Sequence, residues 1–215
     1  AAPAASATGY TDVKLPQIRK VIAKSMHASL SEMAQLTLNA SFDATAIMNL
    51  RAAIKTGGEA MGIGNVTIND MILFAAAKIL KKHKDLNAHY LGETIRYFDG
   101  VHMGVAVDTE RGLMVPTIFD ADKLSLSDLA KASKEIIKEA QAGTISPDKL
   151  KGASFTVSNL GPTGIESFTP VINPPQTGIL GVCSLTKRVK EVSGAPVFYP
   201  CIPLSLTFDH RALDG

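Results

Sequence analysis

The sequence predicts a mixed α/β fold, a mixed sheet with helices packed against it, and three observations carry that expectation. Segments with apolar residues at helical spacing interleave with segments of period two, without the regular strand and helix alternation of a doubly wound parallel sheet. The last third is rich in strand pattern, broken by Gly and Pro. The glycines at 57, 58, 62 and 64 follow no strand and open no helix at the offset of a dinucleotide fingerprint, so they read as a loop. With 215 residues, 46% of them hydrophobic, the chain can bury one substantial core.

Residues 1–12 open with small, uncharged, Pro-containing sequence that cannot form a core and reads as a linker, leaving 13–215 as the folded domain. From Pro16, suited to a first helical turn, Ile18, Val21, Ile22, Met26 and Leu30 make an amphipathic helix. Gln35 to Phe42 alternates as a strand, and Asp43 can cap the helix that follows, with Ile47, Leu50 and Ile54 on one face and a stop at Gly57-Gly58. A third helix, from about Asn69 to Lys84, is apolar over a wide arc and should be central. Its closing Lys81-Lys82-His83-Lys84 offsets the helix dipole.

Strands at 95–98 and 101–107 lead to Asp108-Thr109-Glu110-Arg111-Gly112, a polar break before the pattern resumes at 113–118, so a hairpin is expected. Ser125 with Asp128 starts another helix, carrying Leu129, Ile136 and Ile137 and ending at Gly143. Strands follow at 154–158, 179–189 and 197–208. A formal charge of +2, from 22 basic and 20 acidic residues, supplies no field that favours nucleic acid or a membrane surface. No apolar run approaches a bilayer span, and there is no signal-peptide pattern, so an interior aqueous compartment is expected. Cys183 and Cys201 read as two reduced core thiols, and no metal-site or phosphate-loop motif is present.

The chemistry concentrates at Asp209-His210-Arg211-Ala212-Leu213-Asp214-Gly215, directly after the apolar strand at 202–208. Histidine titrates near neutral pH and can take a proton from a weak nucleophile, while Asp209, Arg211 and Asp214 supply charges able to fix its position. This terminal block resembles the signature of the dihydrolipoamide acyltransferases, the core components of 2-oxo acid dehydrogenase complexes. Further blocks resemble the same family in order: Arg19-Lys20-Val21-Ile22-Ala23-Lys24-Ser25-Met26; the run from Gly104 to Pro116; Phe155-Thr156-Val157-Ser158-Asn159-Leu160-Gly161; and Phe168-Thr169-Pro170-Val171-Ile172-Asn173-Pro174-Pro175. The likeness covers Lys14 to Gly215.

That resemblance implies a chloramphenicol-acetyltransferase-like fold and a homotrimer with each active site between two subunits. It also implies transfer of an acyl group, acetyl favoured, between the dihydrolipoyl thiol of a lipoyl domain and coenzyme A. His210 would be the base, Ser158 the hydroxyl facing the developing oxyanion, and Asp214 an ordering acid partnered by Arg19 as structural support. Coenzyme A would meet Arg51, Thr67, Asp108, Ser158, Asn159 and Cys183. The family also has a C-terminal helix beyond the point reached by Gly215, and lipoyl and peripheral-subunit-binding domains upstream. Its trimers build cubic or dodecahedral cores that engage decarboxylase and dihydrolipoamide dehydrogenase components, in the bacterial cytoplasm or mitochondrial matrix.

Read without the resemblance, Ser158 is a turn-forming serine, Arg19 a solvated helix arginine, and Arg51 a side chain lying over the core. His27, His83, His89 and His102 show no partner spacing and read as structural or surface residues. Two rival functions remain open at this point: a stand-alone acetyltransferase acting on a small molecule, and a core subunit without catalysis.

Overall fold

A computed structural model describes residues 9–58, 60 and 62–215. The first eight residues of the expected linker lie outside them; residues 9–12 are exposed and non-repetitive. The elements are α1 (Gln17–Glu32), β1 (Gln35–Asp43), α2 (Thr45–Gly57), α3 (Ile68–Leu80), β2 (Ala88–Tyr90), β3 (Ile95–Tyr97), β4 (Met103–Val105), β5 (Thr117–Ile118), α4 (Leu126–Ala142), β6 (Phe155–Asn159), β7 (Gly178–Val182), β8 (Thr186–Val192) and β9 (Ala195–Asp209). Seven strands make one sheet in the order β1-β9-β7-β6-β4-β5, with β8 also on β9, while β2 and β3 form a separate pair. The pairs β4–β6 and β6–β7 are parallel and the other ladders antiparallel, so the expected mixed sheet is present.

One face of the sheet is closed by α3 and α4. Leu73, Ala77 and Leu80 of α3 and Leu129 and Ile136 of α4 are buried with Met103, Val105, Phe155 and Val157 from the strands. Each helix begins on its own chemistry. The Thr67 hydroxyl accepts from the Asp70 N–H while the Asp70 carboxylate accepts from the Thr67 N–H, a reciprocal capping box. Ser125 accepts from the Asp128 N–H, and Gly143 takes the left-handed conformation, φ 69°, that ends α4. The expected bounds of α4 hold at both ends.

The other face is held by α1 and the segment 168–176. The Ser29 hydroxyl donates to the Ile172 carbonyl at 2.6 Å, and the Gln35 side chain accepts from the Ile172 N–H at 3.2 Å.

The amphipathic α1 is as expected: Ile18, Ile22 and Met26 are half-buried toward the protomer, Ser29 is buried, and Val21 and Leu30 at the edges of the stripe are 59% and 61% exposed. Three expectations are corrected. On α2, Ile54 is buried but Leu50 is exposed, because α2 meets α3 over only part of its predicted face. The third helix ends at Leu80, and the half-exposed Lys81 pairs with the buried carboxylate of Asp122 at 3.5 Å. The strand expected over 179–189 is two strands. Val182 pairs with Leu204 and Thr186 with Cys201, so three residues of one strand face two of β9, a bulge. Its backbone is satisfied elsewhere, with Ser184 N–H donating to Ile165 and the Ser184 hydroxyl to Gly161.

The hairpin is as expected: Met103 and Gly104 pair with Ile118 and Thr117, and Val107 bridges Met114. Both cysteines are buried and free. No helix among the described residues is long and apolar enough to cross a membrane.

Candidate active site

His210 is the first residue past β9, half exposed, and its backbone N–H donates to the Ala34 carbonyl at 2.8 Å. Its ring nitrogen Nδ1 lies 3.6 Å from Asp214 Oδ1, an electrostatic contact too long for a hydrogen bond. Asp214 itself is 97% exposed. The charge that is built into the fold is Asp209. It is fully buried, and Arg211 grips its carboxylate through Nε at 3.0 and 3.1 Å and through Nη2 at 2.7 Å. Burial pushes the Asp209 acid upward, but the Arg211 hydrogen bonds and charge, with the Ala34 N–H, outweigh it and hold the carboxyl below its ordinary range.

Arg19 is not brought to Asp214 within one protomer. Its guanidinium lies over Gly112 in the β4–β5 hairpin, 3.7 Å from where a Cβ would sit there. Arg19 belongs to the first turn of α1, whereas His210 is tied to Ala34 just past the last, about 20 Å away at helical rise.

Ser158 and Asn159 are neighbours on β6 and therefore face opposite sides of the sheet. Ser158 lines a cavity of about 270 Å³ with Met26, Val115, Thr156, Phe168 and Ile179. Among the described residues none of its lining side chains is charged. Phe168 reaches it because Gly181 carries no side chain: a Cβ at 181 would stand 2.7 Å from the ring. Asn159 turns to α3, where its amide nitrogen donates to the Asn69 side-chain oxygen at 2.9 Å and its oxygen accepts from the Gly161 N–H at 2.8 Å.

A second cavity, of about 380 Å³, opens at the ends of β6 and β7 beside the start of α3. Arg51, Thr67, Asn159 and Cys183 all line it, so four residues drawn from four separate stretches of sequence converge. Arg51 offers a fork of donors suited to phosphate. Asp108 is apart from this group, exposed at the hairpin turn, and Ser158 belongs to the neighbouring cavity. Asn69, which completes this wall, carries no distinguishing signal in the sequence. The capping pattern Thr67-x-x-Asp70 is legible there and marks where α3 must start.

His89 and His102 have structural partners, as expected. His89 Nε2 is 2.8 Å from the Ala153 carbonyl, and burial, the largest influence, lowers its pKa. The His102 ring nitrogen accepts from the Asp120 N–H at 3.1 Å.

This fold, with a histidine at the end of its long strand and a cavity bearing Arg51, Thr67 and Asn159 at the strand ends, is that of an acyltransferase catalytic domain. The sequence profile of the 2-oxoacid dehydrogenases acyltransferase (catalytic domain) family matches residues 7–215, and the chain belongs to that family. Among curated relatives, the acetyltransferase component of the Bacillus subtilis acetoin cleaving system is 40% identical over 204 residues, covering 95% of this chain and 51% of the relative. A mitochondrial succinyltransferase component of a 2-oxoglutarate dehydrogenase complex from Arabidopsis thaliana is 39% identical over 204 residues, covering 94% and 44%. The chain thus spans about half the length of these relatives.

Among solved structures, Azotobacter vinelandii dihydrolipoamide acetyltransferase superposes with a TM-score of 0.92 at 32% identity, covering 100% of this chain and 90% of that one. That structure was used to investigate a serine, a histidine and an asparagine in its catalytic mechanism. The cubic core of a pyruvate dehydrogenase multienzyme complex matches equally well, at 0.92 and 32%, with the same coverage. Chloramphenicol acetyltransferase, at 12% identity, covers 95% of this chain and 91% of that one with a TM-score of 0.51, which extends the likeness to the fold alone.

Proposed function

We propose that this domain transfers an acetyl group between a dihydrolipoyl thiol and coenzyme A, at active sites shared between neighbouring copies in a homotrimer. His210 of one copy takes the proton from the coenzyme A thiol, which is otherwise largely un-ionised at neutral pH. The thiolate attacks the carbonyl carbon of acetyl-dihydrolipoamide, and the Ser158 hydroxyl of the next copy donates to the oxyanion that forms. Collapse breaks the bond to the dihydrolipoyl sulfur, which recovers the proton from His210. Acetyl coenzyme A and dihydrolipoamide leave.

The observation that carries this reading is the separation of the two groups. Through the ladder β6–β7–β9, Ser158 stands level with Gly181 and Ser205, and His210 lies five residues further along β9. At strand rise that is about 16 Å, too far for both to serve one carbonyl within a protomer. The exposed Val21 and Leu30 of α1 are apolar surface that a second copy would cover. The spacing agrees as well. In the Azotobacter enzyme the histidine lies 52 positions after the serine and the asparagine four after the histidine, the spacings of Ser158, His210 and Asp214 here, with an aspartate replacing the asparagine.

Coenzyme A is assigned to the cavity of Arg51, Thr67, Asn159 and Cys183, with Arg51 on a phosphate, and the acyl group to the uncharged cavity beside Ser158. An uncharged lining favours acetyl over succinyl, whose carboxylate would lose hydration without a cation to meet it. In the whole protein the trimer would build a larger core, such as the cubic one of its structural relative, served by lipoyl domains and by decarboxylase and dihydrolipoamide dehydrogenase components. The relatives come from bacteria and from plant mitochondria, consistent with a bacterial cytoplasm or a mitochondrial matrix.

The direct test is acyl transfer from acetyl, succinyl and isobutyryl coenzyme A to free dihydrolipoamide, with wild type and His210→Ala compared. Acetyl preference and a loss of about a hundredfold or more in the variant support the reading. Wild-type activity in His210→Ala would remove the proposed base, and a succinyl preference would reassign the cavity beside Ser158.

A further inference from the structure

We propose that Tyr90 is a positioning residue for His210, acting through the Arg211–Asp209 ion pair; the inference rests on His210 being the base. The buried Asp209 carboxylate immediately precedes His210 and accepts from the Ala34 N–H at 3.3 Å, while the His210 N–H donates to the Ala34 carbonyl at 2.8 Å. The backbone that carries the imidazole and the buried charge therefore hang on the same residue, Ala34, at the start of β1. A displaced Asp209 displaces the histidine.

Arg211 keeps Asp209 in place, since a buried carboxylate without its cation is strongly destabilised. Yet the Arg211 side chain is 35% exposed and free to turn outward unless something covers its other face. Tyr90 does so. The guanidinium carbon lies 4.4 Å from the centroid of the Tyr90 ring, within the range of a cation on an aromatic face. Tyr90 is itself fixed, its N–H donating to the Pro175 carbonyl at 2.9 Å and its strand paired with Ile95. The small β2–β3 sheet, otherwise remote from the chemistry, thereby presses Arg211 onto Asp209. Its ring face does this, because no hydrogen bond from the Tyr90 hydroxyl is formed among the described residues.

The test uses Tyr90→Leu, which keeps apolar bulk without an aromatic face, and Tyr90→Phe and Tyr90→Trp, which keep the face, in the full chain with His210→Ala alongside. The expected result is a fall in kcat of about tenfold or more in Tyr90→Leu, since misplacing a reacting group by about 1 Å can cost a hundredfold. The KM for coenzyme A and the calorimetric binding stoichiometry should stay at wild-type values, because Arg51 and Thr67 are untouched. Tyr90→Phe and Tyr90→Trp should stay within about twofold of wild type in kcat, with rescue by the ring itself. Wild-type kcat in Tyr90→Leu, or a tenfold fall in Tyr90→Phe or Tyr90→Trp, would overturn the proposal. Should Tyr90→Leu fail to fold, Tyr90→Met, which also lacks a ring face, takes its place with the same expected fall in kcat and the same overturning result. An active His210→Ala would instead overturn the underlying reading of the base.

Discussion

Ser158 and His210 stand on one sheet with a single strand between them, yet their register sets them about 16 Å apart along the strands. The separation makes the oligomer a chemical requirement of the proposed reaction. If Ser158 and His210 from different copies share each site, co-expressed His210→Ala and Ser158→Ala chains should recover activity that neither has alone. In any mixed trimer of the two, one interface pairs an intact histidine with an intact serine, so about a third of full activity per mixed trimer is expected. Mixed assemblies as inactive as the separate variants would place both groups in one copy.

Ser158→Ala should lower kcat by about a hundredfold to a thousandfold while leaving coenzyme A binding unchanged, as expected for a donor that meets charge only in the transition state. Steady-state kinetics beside calorimetric coenzyme A titration separate the two. An equal loss in binding would move Ser158 from the acyl cavity to the coenzyme A site.

Arg51 should behave in the opposite way. Removing a charge-assisted hydrogen bond worth about 1.5–3 kcal/mol in Arg51→Ala predicts a KM for coenzyme A raised about 10- to 100-fold with little change in kcat. An unchanged KM would leave Arg51 as a side chain covering its helix.

Thr67 serves both the cavity and the fold. Thr67→Ala removes the capping box with Asp70 and should cost about 1 kcal/mol in urea unfolding, whereas Thr67→Ser keeps the hydroxyl and should be neutral. Equal destabilisation by Ser and Ala would show that the methyl group, not the cap, matters.

Acid should expose the Asp209–Arg211 pair. The Asp209 pKa is lowered in the folded protein, so unfolding takes up a proton and stability from this group is complete above the unfolded value near 3.9. It is lost as pH falls from about 4 through the lowered folded value. Asp43, held at about 2 by Lys190 and Thr45, adds to the same acid branch. Arg211→Met removes what lowers Asp209, and the midpoint of acid unfolding followed by circular dichroism should move to higher pH. An unmoved midpoint would show that the pair does not control acid stability.

Local chemistry was legible at α4 and the hairpin, where the signals close within a few residues, although the Thr67–Asp70 box before α3 went unread. Ser125 and Gly143 bound α4 because a cap and a left-handed glycine act on their own neighbours. The turn before Met114 closes similarly, the Thr109 hydroxyl donating to the Gly112 carbonyl. What the sequence misread depends on distant partners. Leu50 has helical spacing but is exposed, and the stripe of α1 is half-buried at Ile18, Ile22 and Met26 while its edges at Val21 and Leu30 stay exposed. The break after Val182 follows from contacts to Gly161 and Ile165, which no strand propensity records. At the candidate site, block resemblance pointed to Arg51, Thr67, Asn159 and Cys183, and these do share a cavity. Arg19 and Asp214 are not paired within the protomer: Arg19 lies over Gly112 beside the first turn of α1, whereas the turn that carries Asp214 is tied through His210 to Ala34 past the last. Tyr90 was invisible because its role arises only when β2 meets the turn after β9.

The long strand β9 also sets a timetable for synthesis. It runs between β1 and β7 and carries β8, so residues 35–43 wait for partners at 201–209. At about 5–20 residues per second, the roughly 160 residues between them take on the order of 10–30 s to emerge. During that interval an unpaired edge bearing Leu36, Leu38 and Phe42 is open to other nascent chains. Of all the ladders in the sheet, β1–β9 therefore leaves its first strand waiting longest for a partner.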